Sequence, residues 1–341
     1  MTRYTLGLFA NLYPAREGDS RGIFVKRMVD DLENCDVQVI KAVKKSTNPL
    51  AYAPFYTESL VNSLNRDIDI LQAEYIPHSS IIPSLLKNKR PLVLKFHGDD
   101  ALIYPFKNRF NRALINYSLN KADHVITCSE ALKNTIISLG YERDKVTAIA
   151  NGVDIDKFRP MDKNYCREQF NISEEACVCL YAGRLHPMKG IFELIESAKL
   201  NPDITFIFGG PGQIPKHMSN CIFLGDISPE KMPVLMNAAD FLVLPSHSEG
   251  LGLVLLESLA CEVPVIASNI GGCPEIVKDG LSGILISPKD IVGLSEAIKF
   301  LKLNPDQRRK MGIIGRKDVI DNYDANKLTE KLISVHLQFT D

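Results

Sequence analysis

The chain has 341 residues, 45% of them hydrophobic, with 40 Lys and Arg against 41 Asp and Glu and a formal net charge of −1. That length exceeds one ordinary hydrophobic core and fits two domains of roughly 150 residues each. The balanced charge excludes the bulk basic footprint of a nucleic-acid binder. The longest apolar-rich stretch, 250–268, carries Glu257, Glu262 and Pro264, which argues against a membrane span.

From the first residue, MTRYTLGLFANLYP offers an apolar stretch too short for a secretory signal, so a cytoplasmic location is expected. Short apolar runs then alternate with longer amphipathic stretches, the pattern of βαβ units and parallel sheets. In the first half the predicted strands are TLGLFA, VQVIKAV, IDILQAEYI, PLVLKFHG, HVITCS and KVTAIANG. Helices are predicted over 24–32, 81–86, 106–121 and 130–138, the last opened by Ser129 as its cap. NGVDIDKFRP (151–160) marks the boundary, where an apolar strand gives way to turn and charged residues.

The second half repeats the alternation with CVCLYAGRL, a helix over 190–199, ITFIFGGPG, CIFLGD, a helix over 230–238, FLVLPS, a helix over 252–260, PVIAS and GILIS. The stretch 307–339 reads as two amphipathic helices with a break near 322–325. Each strand ends in a loop rich in Gly, Pro, Ser or His, and open α/β sheets bind ligands beyond the carboxyl ends of their strands.

Cys177 and Cys179 lie two apart on a strand, without zinc-site spacing, and read as reduced core thiols, like most of the eight cysteines. Asp67/Asp69 and Asp154/Asp156 have D-x-D spacing. The first pair begins a strand and the second sits in a turn, so no metal site is assigned.

Four segments carry chemistry. In SHSEGLGLVLLESLA, Glu249 and Glu257 are read as lying roughly two turns apart, with backbone N–H groups of a helix start between them. That layout suits a ligand with hydroxyls at both ends and anionic oxygens in the middle, as in a nucleotide sugar. The alternative is an N-capped amphipathic helix. In YAGRLHPMKG, Arg184 and Lys189 are placed to steady a diphosphate leaving group, or are two solvated loop cations. KFHGDD puts His97 and Asp99 at a strand's carboxyl end, where the histidine is either a hydrogen-bonding group for substrate or structural. NLYPAREGDSRGIFV is a strand–loop–helix with Gly18 and Gly22. It lacks both the dinucleotide and the P-loop fingerprint.

Together these segments resemble the group 1 (family 4) retaining glycosyltransferases. The likeness is strongest in YAGRLHPMKG, FGGPG, FLVLPSHSEGLGLVLLESLACEVPVIAS and NIGGCPEIVKDGLSGILI, and HGDD, SEALK and NGVDIDKF support it. It implies the α/β GT-B fold, two Rossmann-like domains with parallel sheets facing across a cleft. The acceptor-side domain would be 1–160 with a C-terminal helix 320–341 packing back on it, and the nucleotide-sugar domain 161–319. The implied reaction moves a sugar from an NDP-sugar, with UDP the expected carrier, to an acceptor hydroxyl with retention at the anomeric carbon. Neither metal nor other cofactor is expected.

Residue by residue, the resemblance assigns Glu257 to the ribose hydroxyls, and Glu249 with Gly250, Leu251, Gly252 and Leu253 to the donor sugar. Gly183 joins the donor-binding set. Arg184 and Lys189 would grip the diphosphate. Gly209, Gly210, Asp226 and Ile227 would lie near the base. His97 would face the sugar, with Asp99 beside it, and Gly22 would approach the phosphates or acceptor. The loop Gly18-Asp19-Ser20-Arg21-Gly22 departs from the adjacent glycines of many relatives. The opening YP…GIFV points to cell-surface polysaccharide or glycolipid synthesis, with a glycan or lipid-linked acceptor. Competing readings are a nucleotide-sugar epimerase or sugar phosphorylase on the same fold, and a non-catalytic nucleotide-sugar-binding protein. The segment 106–121 reads as a basic amphipathic helix. Packing on the first-domain sheet is the preferred reading, and peripheral contact with the inner face of the cell membrane is the alternative.

Overall fold

The computed structural model describes residues 2–16, 18–212 and 218–340. The chain forms two compact units, Met1–Asn151 with Ala325–Asp341, and Gly152–Asp324.

In the first unit the apolar runs become β1 (Thr5–Ala10), β2 (Gln38–Val43), β3 (Ile70–Glu74), β4 (Leu92–Phe96), β5 (His124–Thr127) and β6 (Val146–Ala148). They form one parallel sheet in the order β2-β1-β3-β4-β5-β6. Leu6 of β1 lies opposite Val39 of β2 on one side and Ile70 of β3 on the other. β3 and β4 are buried throughout, as strands covered on both faces must be. Even so, they carry Gln72, Glu74 and Lys95 into the interior. The helix Ile23–Asn34 buries Val25, Met28, Val29 and Leu32 on this sheet, and the closing helix Ala325–Leu337 adds Leu328, Leu332 and Ile333 to the same core.

The second unit contains β7 (Val178–Ala182), β8 (Thr205–Gly209), β9 (Cys221–Gly225), β10 (Phe241–Leu244), β11 (Val265–Ser268) and β12 (Gly283–Ile286). Its parallel sheet runs β12-β11-β10-β7-β8-β9, which is the dinucleotide-fold order, whereas the first sheet has the flavodoxin-like order. Each order reverses direction once, between β1 and β3 in the first unit and between β7 and β10 in the second. At such a switch point the loops leaving the two strands diverge and open a crevice. No helix among the described residues is long and apolar enough to cross a membrane.

Two local expectations are corrected, and two helices are added to those expected. The helix expected over 106–121 is two, Tyr104–Lys107 and Arg109–Lys121. They part at Asn108, whose extended backbone and side chain, accepting from Asn111 N, start the second helix afresh. The segment carrying Glu249 and Glu257 becomes helical only at Leu253, after Gly252 at φ 87°. The carboxylates are therefore separated by a loop and one turn of helix rather than by two turns. Helices Tyr52–Leu64 and Ile291–Leu303 were not read from sequence. In the second, Asp290 caps by accepting from Gly293 N at 2.8 Å, a signal the sequence does contain.

Candidate active site

The switch point of the second sheet gathers the loops after β7 and β10. Lys189 ends a short 3-10 turn, Pro187–Lys189, and its Nζ donates to Glu249 Oε1 at 2.7 Å. Ser246 Oγ donates to the same oxygen at 2.7 Å. The backbone ties the loops as well, His247 N donating to Met188 O at 2.9 Å, and His247 Nε2 meets Glu193 Oε1 at 2.8 Å. Gly190 permits the approach. At φ 72°, a Cβ there would stand 1.9 Å from Pro245 O. Gly271 does the same for the loop after β11, where a Cβ would stand 1.9 Å from Glu249 O. Glu249 is thus held from three sides.

Arg184 is exposed one residue beyond Gly183, its carbonyl accepting from the buried Tyr181 hydroxyl at 2.6 Å. Burial, then the Glu249 charge, pushes the Tyr181 phenol well above its ordinary range, so it stays a hydrogen-bond donor. Gly183 N donates to Gly209 O at 2.8 Å and Gly210 N to Gly225 O at 2.6 Å, which places Gly209, Gly210 and the Asp226 loop side by side at the carboxyl ends of β8 and β9. Asp226 is exposed and Ile227 buried. Gly250 and Leu251 are buried, Gly252 and Leu253 half-buried, and the helix Leu253–Ala260 begins without a side-chain cap. With glycine as its cap, the helix start has no capping side chain to compete with a ligand anion for its first N–H groups. Glu257 is buried one turn further in, at 9% exposure.

In the first unit, His97 and Asp99 follow β4. The His97 side chain is 5% exposed, and its Nε2 meets Glu74 Oε2 at 2.5 Å. Asn151 Nδ2 lies 3.4 Å from its Nδ1. Phe24 and Tyr75 pack on the imidazole with centroids 4.8 and 4.7 Å away. Asp99 is exposed. Its neighbour Asp100, 4% exposed, fastens the loop by accepting from His97 N at 3.0 Å and Gly98 N at 2.8 Å. Gly22, at φ 65° and 2.6 Å from Leu12 O at a notional Cβ, starts the helix Ile23–Asn34.

Sequence reading therefore passed over Glu74 and Asp100. Glu74 was hidden inside an apolar run, although a carboxylate in a fully buried strand is itself a signal that a partner exists. Burial would push the Glu74 carboxyl up, but the His97 hydrogen bond and charge, with the Lys95 ammonium, hold it below the ordinary glutamate value. The two D-x-D pairs have turn and strand-end roles. Asp154 Oδ1 accepts from Asp156 N at 3.1 Å and Lys157 N at 2.9 Å, and Asp69 accepts from Thr5 N at 2.7 Å.

Both halves of the chain match known glycosyltransferase families. Residues 162–318 match the family described as Glycosyl transferases group 1, and residues 15–157 match Glycosyltransferase Family 4. The chain belongs to the group 1, family 4 glycosyltransferases. Among its relatives, an uncharacterised glycosyltransferase of Methanocaldococcus jannaschii is 32% identical over 262 residues, 73% of this chain and 70% of that one. The N-acetyl-alpha-D-glucosaminyl L-malate synthase of Bacillus anthracis is 24% identical over 288 residues, 79% and 74% of the two chains. Among solved structures, sucrose-phosphate synthase from Thermosynechococcus elongatus superposes with a TM-score of 0.87 at 19% identity, covering 98% of this chain and 99% of that one. Anabaena HepE in complex with UDP-glucose gives 0.80 at 20% identity, covering 98% and 99%. These likenesses define the fold as GT-B.

Proposed function

We propose that this glycosyltransferase moves a sugar from a UDP-sugar to an acceptor hydroxyl with retention of anomeric configuration, without a metal ion, in the assembly of a cell-surface glycan. The observation that carries the reading is the Lys189–Glu249 pair at the switch point of the second sheet, with Arg184 exposed beside it. Arg184 and Lys189 supply the cations that a departing diphosphate needs, and Glu249 takes a hydroxyl of the donor sugar. Glu257 holds the ribose, and Gly209, Gly210, Asp226 and Ile227 line the base. On the first unit, the 3.4 Å contact leaves His97 Nδ1 only weakly engaged, free to accept from a sugar hydroxyl, with Asp99 exposed next to it. UDP and UDP-glucose in HepE support the choice of donor.

Thermal shift with UDP, GDP, ADP and CMP tests the nucleotide, since a ligand at 100 times its Kd adds ~2.7 kcal/mol. UDP should raise Tm, and Arg184→Ala should lose most of the rise. No response to any nucleotide would sink the reading. NMR of the product anomeric proton then reads retention directly. Donor turnover without acceptor would favour an epimerase instead, and a need for free phosphate a phosphorylase.

Membrane contact is favoured by one observation. Phe106 and Phe110 are 60% and 70% exposed, beside Lys107, Arg109 and Arg112, with no acidic residue from 101 to 121. Ile115 and Leu119, further along, are buried and pack on the unit. The exposed end suits an anionic lipid surface. Flotation with phosphatidylglycerol vesicles, but not with phosphatidylcholine alone, is expected, and Phe106→Ser with Phe110→Ser should abolish it.

A further inference from the structure

The loops leaving β2, β1, β3 and β4, neighbours in the first sheet, bring together side chains that the donor reading does not use. Lys44 follows β2 directly, its amide donating to Ala10 O at 2.9 Å at the end of β1. Lys44 is 9% exposed, with Nζ 4.5 Å from the centroid of Tyr52. The ammonium has three N–H donors. One goes to Ser46 O at 2.5 Å, and among the described residues no carboxylate forms an ion pair with it. The carboxylate nearest in sequence on the adjoining helix, Glu58, instead takes the Val43 amide at 3.4 Å.

Around this cation the tyrosines and one histidine form a continuous wall. Tyr52 stacks on Tyr56 at 5.5 Å and packs on His78 at 5.3 Å. His78 Nε2 meets the Tyr104 hydroxyl at 2.9 Å, and the Tyr56 hydroxyl lies 3.5 Å from its Nδ1. Arg21, on the loop after β1, is exposed and held by Asp19 through contacts of 2.7 and 3.0 Å. Burial, then the Arg21 charge, draws the Lys44 ammonium below its ordinary value, and burial, then Lys44, does the same to His78. Burial is the larger cause of both shifts, and the neighbouring positive charge adds to each. A nearly buried cation lacking a counter-ion is costly unless something supplies the anion. Aromatic walls with a few convergent polar groups, at a switch point, are the usual make-up of a small-molecule site.

We propose that Lys44, Tyr52, His78 and Tyr104 form the acceptor-recognition site, and that the acceptor carries an anionic group, carboxylate or phosphate, which pairs with Lys44. This rests on the glycosyl-transfer reading for the word acceptor, while the anion preference is independent of it. The rings flank the sugar of the acceptor, and the charge fixes its orientation.

Isothermal titration of glucose 6-phosphate, glucuronic acid and glucose, each with and without UDP, tests the site on the intact protein. At least one of the charged sugars should bind at least tenfold more tightly than glucose, and the one that does names the group. Lys44→Met, which keeps the stem and removes the charge, should weaken that binding at least tenfold and leave UDP affinity unchanged. Equal binding of glucose and the charged sugars, no binding of either charged sugar, or unchanged binding in the variant would overturn the proposal. The wild-type comparison needs no variant, so a poorly folding Lys44→Met does not blunt it. If the charged sugars bind and UDP does not, the transfer reading fails and the anion site stands.

Discussion

The His97 imidazole donates through Nε2 to Glu74 Oε2 at 2.5 Å, and it meets there a line of donors that begins at Tyr4 and passes through the C-terminal helix. Tyr4 hydroxyl donates to His336 Nδ1 at 2.7 Å, His336 Nε2 to Gln72 Oε1 at 2.6 Å, and Gln72 Nε2 to the other Glu74 oxygen. Every donor points towards one buried carboxylate, which must be ionised to accept them all. The arrangement also sets the histidine tautomer, because a proton on Nε2 leaves Nδ1 as the acceptor.

Glu74→Gln should therefore disturb both stability and His97. Removing the carboxylate weakens two buried hydrogen bonds at a cost of about 1–3 kcal/mol, read by urea denaturation. The folded-state value of Glu74 lies below its unfolded one, so its contribution is present above about pH 4.3 and lost as pH falls further. The variant should show a flatter acid limb in that window. Nitrogen-15 NMR of histidine should find Nε2 protonated in the wild type. An Nδ1-protonated ring would refute the tautomer.

His336 gives a second pH dependence with a different window. Burial, then the Lys95 charge, pulls it down to about 3, so it is neutral in the folded protein while the unfolded chain takes up a proton near pH 6.5. Between those values the unfolded state binds more protons, and stability falls as pH falls. His336→Gln should lose less stability than the wild type between pH 7 and pH 4. Parallel pH profiles for the two proteins would contradict this.

Lys189 and Glu249 predict opposite consequences for binding and transfer. Lys189→Met should weaken UDP about 10- to 100-fold, the range of a hydrogen bond between charged groups. Glu249→Gln leaves the ammonium uncompensated, so UDP affinity should hold or rise while kcat falls. Calorimetry with UDP beside a transfer assay separates the two, and loss of UDP binding in Glu249→Gln would show that the pair acts as a structural unit.

Gly190→Ala tests whether the two loops must touch. A left-handed backbone costs a residue with a Cβ about 1–3 kcal/mol, and here the Cβ also meets Pro245 O. We expect a lower Tm and loss of the UDP response, although no side chain assigned to the ligand has changed. A normal UDP response would mean that the loop contact is dispensable.

Much of the fold was legible because its signals are local. TLGLFA or FLVLPS is apolar because a strand covered on both faces has no polar side, and Gly- and Pro-rich turns end each run where a ligand loop begins. The spacing of Glu249 and Glu257 and of Arg184 and Lys189 could be read the same way, although the loop through Gly252 shortened the helix between the two carboxylates. Asp99 and Asp100 look alike in HGDD, and only burial distinguishes the exposed residue from the one that fastens the loop.

By itself, then, the sequence determined the elements, their alternation and the residue types at the carboxyl ends of the strands, since side-chain period and turn chemistry act over a few residues. Tertiary structure alone decided which strands became neighbours. The order β2-β1-β3-β4 sets Glu74 against His97, and the packing of the closing helix carries His336 to Gln72 across 264 positions of chain. Such pairings are set by how buried polar groups find partners once the sheet has assembled, and the local pattern holds no record of that choice.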